Sequence, residues 1–555
     1  MSDVRISFLG GLGEIGRNCM ALEVAGEIAL IDAGILFPKL DMLGVDLVLP
    51  DLTYIKENSD RVRSIFLTHG HEDHVGGVPY LLRDLDAIEI FGTDLTLGIL
   101  EPKLEEHGVA DRATLIEVRD SERVRRDPFD VEFIPVAHSV PRGCALAIST
   151  SEGLVVHSGD FKIDHTPVDG RRTDLQRLGE LGSSGVSLLL SDSTNAEEPG
   201  WIRSETAVGA FLTELFASHW DKRIIAACFA SHLHRVQQIA NAAISHGRKI
   251  AFLGRSMLSN VATATRLGVL DLPEESVIPV SEAGNLPPQD VCVVCTGSQG
   301  EPLSALALMA AHDHKSIAVG PDDIVLFSSH PIPGNEADVY RVIDDLYRAG
   351  ATVIHSGVNE EVHVSGHGAA EDLKTMLSVV TPDWFVPIHG EYRHLVHHAS
   401  LAEEMGVPAD RILIAQDGDV VTLRDGKAAF ASETVPAGYF YVDGIGLGDV
   451  NQEVLRDRQL LGEDGVVLVV VTLDSRTGEI VSGPEVISRG WVDDVESMEL
   501  IEDARATVVA SIEEAAEEGG LDWATMKRHV RTALGKFIWQ STKRRPLIVP
   551  VVMEV

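Results

Sequence analysis

The stretch LTHGHEDHVGG, Leu67 to Gly77, constrains the fold of this chain more than any other. It closes the apolar run RVRSIF with three histidines and two acids inside six residues, His69 to His74. A lone histidine is usually a satisfied core or surface group, but the pattern H-x-H-x-D-H, made by His69, His71, Asp73 and His74, is a dense set of nitrogen and oxygen donors. Other β-rich runs end the same way: VEFIPVAHS delivers His138, GLVVHSGD delivers Asp160 and WFVPIHGE delivers His389. Donors at the ends of buried strands predict a layered α/β fold with its site at one edge of the sheets. Zinc takes His nitrogen and Asp oxygen, and a two-metal hydrolase needs about seven donors, one of them bridging. His69, His71, Asp73, His74, His138, Asp160 and His389 supply that number.

The N-terminal run reads strand, glycine loop, strand: VRISFLG, GLGEIGRN, CMALEV. Gly11, Gly13 and Gly16 fit G-x-G-x-x-G, with Asp32 at the spacing of a ribose-binding acid. That fingerprint needs a helix to open in the glycines, whereas Cys19–Ala25 alternates like a strand, so a dinucleotide fold is disfavoured. From about 172 to 368 strands and helices alternate (VSLLLSDST, KRIIAACFAS, HRVQQIANAAISHG, RKIAFLG, DIVLFSS), which predicts an inserted α/β domain with a parallel sheet. The expected organisation is a first domain in two segments, 1–171 and 369–426, the insertion at 172–368, a linker at 427–450 and an α+β domain at 451–555. The last domain is expected to carry a buried strand in VVLVVV, an acidic helix from about Val495 to Glu518, and a basic end.

Cys292 and Cys295 form a C-x-x-C, but no second pair accompanies them. In a strand, residues three apart project to opposite faces, so both read as small buried hydrophobes. Five cysteines, no basic-plus-apolar leader and no apolar run long enough for a membrane predict a cytoplasmic protein. A formal charge of −39 argues against a nucleic-acid partner. Yet two divalent cations would add about +4 where a phosphate sits, and net charge says little about one cleft. The local counterweight is the basic stretch Lys527, Arg528, Arg531, Lys536, Lys543, Arg544 and Arg545, whose rival reading is a solvated helix face.

Taken with SDSTNAE, AHSVP, HSGDFKID, HVSGHG, VPIHGEYRH and GGLGEIGRN, these motifs resemble the metallo-β-lactamase-fold hydrolases of the β-CASP group, and within them the ribonuclease J family. The resemblance implies an αββα sandwich with an inserted β-CASP α/β domain and a C-terminal α+β domain. It implies one metal on His69, His71 and His138 and a second on Asp73, His74 and His389, with Asp160 bridging. The metals would be zinc, with manganese or magnesium as alternatives. Asp73 could instead orient a histidine from behind, and Glu72 should face solvent. By the same resemblance Asp192 and His367 are catalytic with Asp73, the histidine protonating the leaving 3′ oxygen; a plain helix cap is the rival for Asp192. A pocket for a 5′ monophosphate would use His363, Ser365, Gly366 and His367, with Ser231 and His232 or His234 from FASHLHR, although a cap explains Ser231 as well. Asp51 and Asp443 match a structural cation site, such as calcium.

The resulting expectation is a zinc-dependent ribonuclease with 5′-to-3′ exonuclease and endonuclease activity on single-stranded RNA. Its roles would be messenger RNA decay and ribosomal RNA maturation, as a homodimer or homotetramer that also meets other RNA-decay proteins and no membrane. The rivals are a lactone or β-lactam hydrolase using the same metals, a non-catalytic RNA-binding scaffold, and DNA in place of RNA.

Overall fold

The computed structural model describes residues 3–39, 41–301, 303–332, 334–444, 446–493, 497–517 and 523–555. The chain divides into two compact units, 1–37 with 47–440, and 38–46 with 441–555.

The larger unit contains two sheets whose inner faces share one core. The first has eight strands in the order Lys427–Phe430, Val420–Arg424, Val4–Gly10, Cys19–Val24, Glu27–Ile31, Val62–Phe66, Ile88–Gly92 and Ala113–Glu117. The second has six: Trp384–Ile388, Leu188–Asp192, Gly153–His157, Cys144–Thr150, Phe129–Pro135 and Arg123–Arg126. Phe8, Leu22 and Phe66 from one meet Phe133, Leu146 and Leu190 from the other, with the Phe66 and Phe133 rings 6.2 Å apart. Helix Asp94–Glu106 covers the outside of the first sheet through Leu97 and Leu100. Helices Leu175–Ser184 and Ala370–Val380 cover the second through Leu178 and Met376. This is the αββα sandwich.

Strands Gly153–His157, Leu188–Asp192 and Trp384–Ile388 run parallel and in step, Leu190 opposite both His157 and Val386. Their carboxyl ends therefore lie side by side, and the residues just beyond, Asp160, Ser193 and His389, share one edge. The sequence pattern groups Leu188–Asp192 with the inserted domain, but its hydrogen bonds place it in the six-stranded sheet. An apolar run ending in Ser-Asp fits a parallel strand in either sheet, and only the partner strands decide. Likewise Lys427–Phe430, read as the start of a linker, is the outermost strand of the first sheet.

The glycine loop opens no helix: Cys19–Val24 pairs antiparallel with Val4–Gly10 directly behind it. The inserted domain is a five-stranded, wholly parallel sheet in the order Lys249–Leu253, Val291–Cys295, Arg223–Ala227, Asp323–Phe327, Thr352–Ile354. Cys292 packs on one face of it and Cys295 on the other. Burial pushes the Cys292 thiol up to about 12 and Cys295 well above its usual value, far from the thiolate that redox or metal chemistry needs.

The smaller unit has a three-stranded sheet, Ile480–Arg489, Val466–Leu473, Leu547–Glu554, backed by helices Met498–Glu517 and Trp523–Thr542. Val466–Leu473 buries alternate residues only, because the helices cover one face. The ends expected for the acidic helix, Val495 and Glu518, lie outside the described residues. Met526, Val530, Leu534 and Ile538 form the buried stripe of the last helix, leaving Arg528, Arg531 and Lys536 in solvent. Among the described residues, no helix is long and apolar enough to cross a membrane.

Candidate metal centre

The loop after strand Val62–Phe66 turns at His69 and His71 into the single helical turn Glu72–Val75, which aims Asp73 and His74 inward. Glu72 turns outward and pairs with Lys103 at 2.5 Å. Ligating atoms of His69, His71, His138 and Asp160 all lie within 4.8 Å of one another, and the same holds for Asp73, His74, Asp160 and His389. His71 Nδ1 is 3.0 Å from His69 Nε2 and 3.1 Å from His138 Nε2. Asp73 Oδ2 lies 3.5 Å from His74 Nε2 and 3.4 Å from His389 Nε2. It thus approaches the inward nitrogens of its neighbours, as a fellow ligand does, rather than the outward nitrogens an orienting acid would take.

Asp160 Oδ2 faces both sets, at 3.6 Å from His69 Nε2, 3.8 Å from His138 Nε2 and 3.2 Å from His74 Nε2. This oxygen and His389 Nε2 are buried without a hydrogen-bond partner. Buried polar atoms in that condition are rare and call for an ion or water, so the residues fit a pair of divalent cations bridged by Asp160.

The outward nitrogens are held by groups that sequence reasoning missed, as with Thr68, or gave another role, as with Asp32 and Gly366. Asp32 Oδ2 takes His74 Nδ1 at 2.7 Å while its carboxylate accepts from Thr68 N at 2.8 Å and Thr68 Oγ1 at 2.7 Å. Thr68 Oγ1 lies 3.1 Å from His69 Nδ1, and Gly366 O accepts from His138 Nδ1 at 2.8 Å. Asn18 Nδ2 reaches Asp73 O at 3.2 Å and Asp73 Oδ2 at 3.3 Å. Such partners fix the tautomer and the ring plane of a ligand. Gly34 allows the close approach: a Cβ there would lie 1.6 Å from Asp73 O. Asp32 and His389 both hold positive φ, 58° and 51°, a left-handed conformation uncommon for residues other than glycine.

Burial and the neighbouring imidazoles of His74 and His367, respectively, drive His69 and His138 well below the usual histidine value. Burial alone would do the same to His74, but Asp160, Asp73 and Asp32 outweigh it and hold that ring well above. The donor set of five imidazoles and two carboxylates thus keeps His69 and His138 neutral, the form in which an imidazole can take a metal.

Asp192 and His367 meet above this cluster, His367 Nδ1 against Asp192 Oδ2 at 2.7 Å. Burial opposes the charged ring, and Asp192 with Asp160 overcomes it, so His367 is raised. The other oxygen of Asp192 accepts from Thr194 N and Oγ1 in a turn that begins no helix, which removes the helix-cap reading. Asn195, also missed, donates to Ser365 Oγ at 2.8 Å and to His367 O at 3.0 Å.

Of the residues matched to a phosphate pocket, His232 and His363 stand edge to face at 5.9 Å, and His330 adds a third ring at 4.9 Å from His363. Burial, then Arg235, holds His363 well below its usual value, leaving a neutral ring with one N–H. His234 instead turns to Asp169 at 3.2 Å, and Gly366 presents its carbonyl to His138. The helix after Ser231 is capped at His232 with no side-chain bond, so capping does not account for Ser231. Asp51 accepts from Thr53 N, and Asp443 pairs with Arg458 at 2.6 Å. Neither joins a group of metal-ligating residues among the described residues.

Comparisons with known proteins assign families to the segments of the chain. Residues 12–191 match the metallo-beta-lactamase superfamily, 221–346 the beta-CASP domain of ribonuclease J, 354–411 the Zn-dependent metallo-hydrolase RNA specificity domain, and 453–555 the ribonuclease J C-terminal domain. Ribonuclease J2 of Bacillus subtilis is 41% identical over 553 residues, covering 100% of this chain and 99% of its own. The chain belongs to the ribonuclease J family. Ribonuclease J 1 of Streptococcus pyogenes is 42% identical over 552 residues (100% and 98%), and ribonuclease J 2 of Staphylococcus aureus 38% over 553 (100% and 98%). A solved Enterococcus faecalis protein of unknown function matches with a TM-score of 0.56 at 15% identity, over 76% of this chain and 100% of its own, a likeness of fold alone. As a member of that family, the chain is a metal-dependent RNA hydrolase, and the scaffold reading is set aside.

Proposed function

We propose that the chain degrades single-stranded RNA from a 5′ monophosphate end, one nucleotide at a time, and also cuts internally, with two zinc ions per subunit. Manganese or magnesium would serve as substitutes. The observation that carries the reading is Asp160 Oδ2, a buried oxygen with no partner that faces both ligand sets. Two divalent cations held there would activate a water, orient the scissile phosphate and offset charge on the attacking and leaving oxygens.

The remaining work falls to the chain itself. Asp192 holds His367 through Nδ1 and favours its charged form, leaving Nε2 to give a proton to the departing 3′ oxygen. Asn195 ties down the segment that carries that ring, donating to the Ser365 hydroxyl and to His367 O. His232, His363 and Ser365 offer N–H and O–H groups to a terminal phosphate, which would favour entry by the 5′ end. The biological roles that fit are messenger RNA decay and ribosomal RNA maturation, in a cytoplasmic homodimer or homotetramer working with other decay proteins.

The test uses one single-stranded RNA with a 5′ label, bearing a monophosphate or a triphosphate, and an Asp73→Ala/His74→Ala double variant as control. Release of labelled mononucleotide from the monophosphate RNA by wild type alone is expected. Internal cuts indifferent to the 5′ end would discard the pocket, and turnover of a chromogenic lactam without RNA cleavage would discard the nuclease.

A further inference from the structure

A buried ion pair in the inserted domain lies behind the pocket histidines: Glu205 Oε1 is 3.4 Å from His232 Nε2 and Arg235 Nη1 3.5 Å from His363 Nδ1. Arg235, on helix Leu233–Ser245, is fully buried, and Glu205 is 3% exposed. Arg235 Nε donates to Glu205 Oε1 at 2.8 Å, and Nη1 donates to Ser328 Oγ at 2.5 Å, Ser328 O at 3.1 Å and Val362 O at 2.9 Å. Ser328 Oγ donates onward to Val362 O at 2.7 Å. Desolvating such a pair costs several kcal/mol per ion, and apolar residues of the same volume often hold a core equally well. Stability alone is therefore a poor reason for it.

What an apolar pair could not do is grip main-chain carbonyls. Three carbonyls of one short segment are gripped by buried side chains: Val362 O by Arg235, Ser365 O by Lys162 Nζ at 3.3 Å, and Gly366 O by His138 Nδ1 at 2.8 Å. His363 is extended (φ −153°, ψ 151°), so His363 and Ser365 project to one side, two residues apart. A shift at Val362 would carry both away together.

We infer that Arg235 is a positioning residue for 5′-end recognition: braced by Glu205 and assisted by Ser328, it fixes the main chain that presents His363 and Ser365. The inference rests on the 5′ pocket proposed above. It assigns Arg235 no contact with RNA or metal.

The experiment measures KM and kcat of the metal-loaded full chain on one RNA carrying either a 5′ monophosphate or a 5′ hydroxyl, with bound metal and thermal midpoint recorded alongside. Wild type is measured first, and its lack of any preference would sink the pocket reading before a variant is made. Given a wild-type preference, Ser328→Ala, which removes the hydrogen bonds of Ser328 Oγ with Arg235 and with Val362 O and leaves that carbonyl to Arg235 alone, should reduce it about fivefold, chiefly through KM for the monophosphate RNA. Arg235→Lys, which keeps the charge and loses the fork, should reduce it at least tenfold, with two metals still bound. Preference unchanged in Ser328→Ala, or rates on both RNAs falling equally along with bound metal, overturns the inference. Ser328→Ala decides the matter alone if Arg235→Lys does not fold.

Discussion

Replacing Asp32 with asparagine should unseat one of the two metals and leave the other. Asp32 Oδ2 is shared by His74 Nδ1 and Thr68 Oγ1, both at 2.7 Å, and Oδ1 receives Thr68 N at 2.8 Å. An asparagine keeps an oxygen for the Thr68 amide, so its NH2 replaces Oδ2 and confronts His74 Nδ1. To accept from that NH2 the imidazole must move its proton to Nε2, the nitrogen that faces Asp73 and Asp160. A ligand atom carrying a proton binds no metal. Loss of an orienting partner weakens metal binding roughly 10–100-fold, and the wrong tautomer places this change near the upper end, about 2.8 kcal/mol. Stripped protein titrated with zinc against a chromogenic chelator should show one site unchanged and one weakened about a hundredfold. Equal weakening of both sites, or two sites within twofold of wild type, would refute the argument that Asp32 acts chiefly through His74 rather than through Thr68 and His69.

Three further outcomes are expected. His367→Ala and Asp192→Asn should each lower kcat roughly 10²–10⁴-fold while two metals stay bound by elemental analysis, since these residues move a proton rather than hold an ion. Gly34→Ala drives a Cβ into the Asp73 carbonyl and should lose metal from the Asp73–His74 set first, again read as metal per chain. Asp417 is pushed up to about 7, chiefly by burial and also by Glu14, against the opposing pull of Arg17. Its folded value thus lies above its unfolded one, so its contribution favours the native state at low pH and is lost as pH climbs from about 4 to about 7. Asp417→Asn should therefore gain thermal midpoint relative to wild type progressively over that window; a difference independent of pH would contradict the shift.

The clustered donors are legible because chemistry shows in local text: a histidine or aspartate at the end of an apolar run is conspicuous without knowledge of its partners. Asp32 was also conspicuous, yet it suggested a ribose contact, because its real partner, His74, is brought near only when strands Glu27–Ile31 and Val62–Phe66 pair in parallel. Asn18, Thr68 and Asn195 stand in quoted motifs but carry no charge to advertise their contacts. The sheet membership of Leu188–Asp192 was hidden for a related reason, since pairing preference is a property of two strands and the pattern of one cannot express it. Arg235 closes the motif FASHLHR unremarked, and nothing in its neighbourhood along the chain says that it is buried.

The interruption of the sandwich by the inserted domain also sets an order in time. Six of the seven donors precede the insertion, whereas His389 follows Asp192 by roughly two hundred residues. At a synthesis rate of about 5–20 residues per second, a growing chain spends on the order of 10–40 seconds with the first six donors made and the seventh unmade. During that interval strand Leu188–Asp192 lacks the neighbour that completes its sheet, and the Asp73–His74 set lacks its third ligand. The donor cluster is thus completed only after the whole inserted domain has been made, a sequence of events that follows from chain order alone.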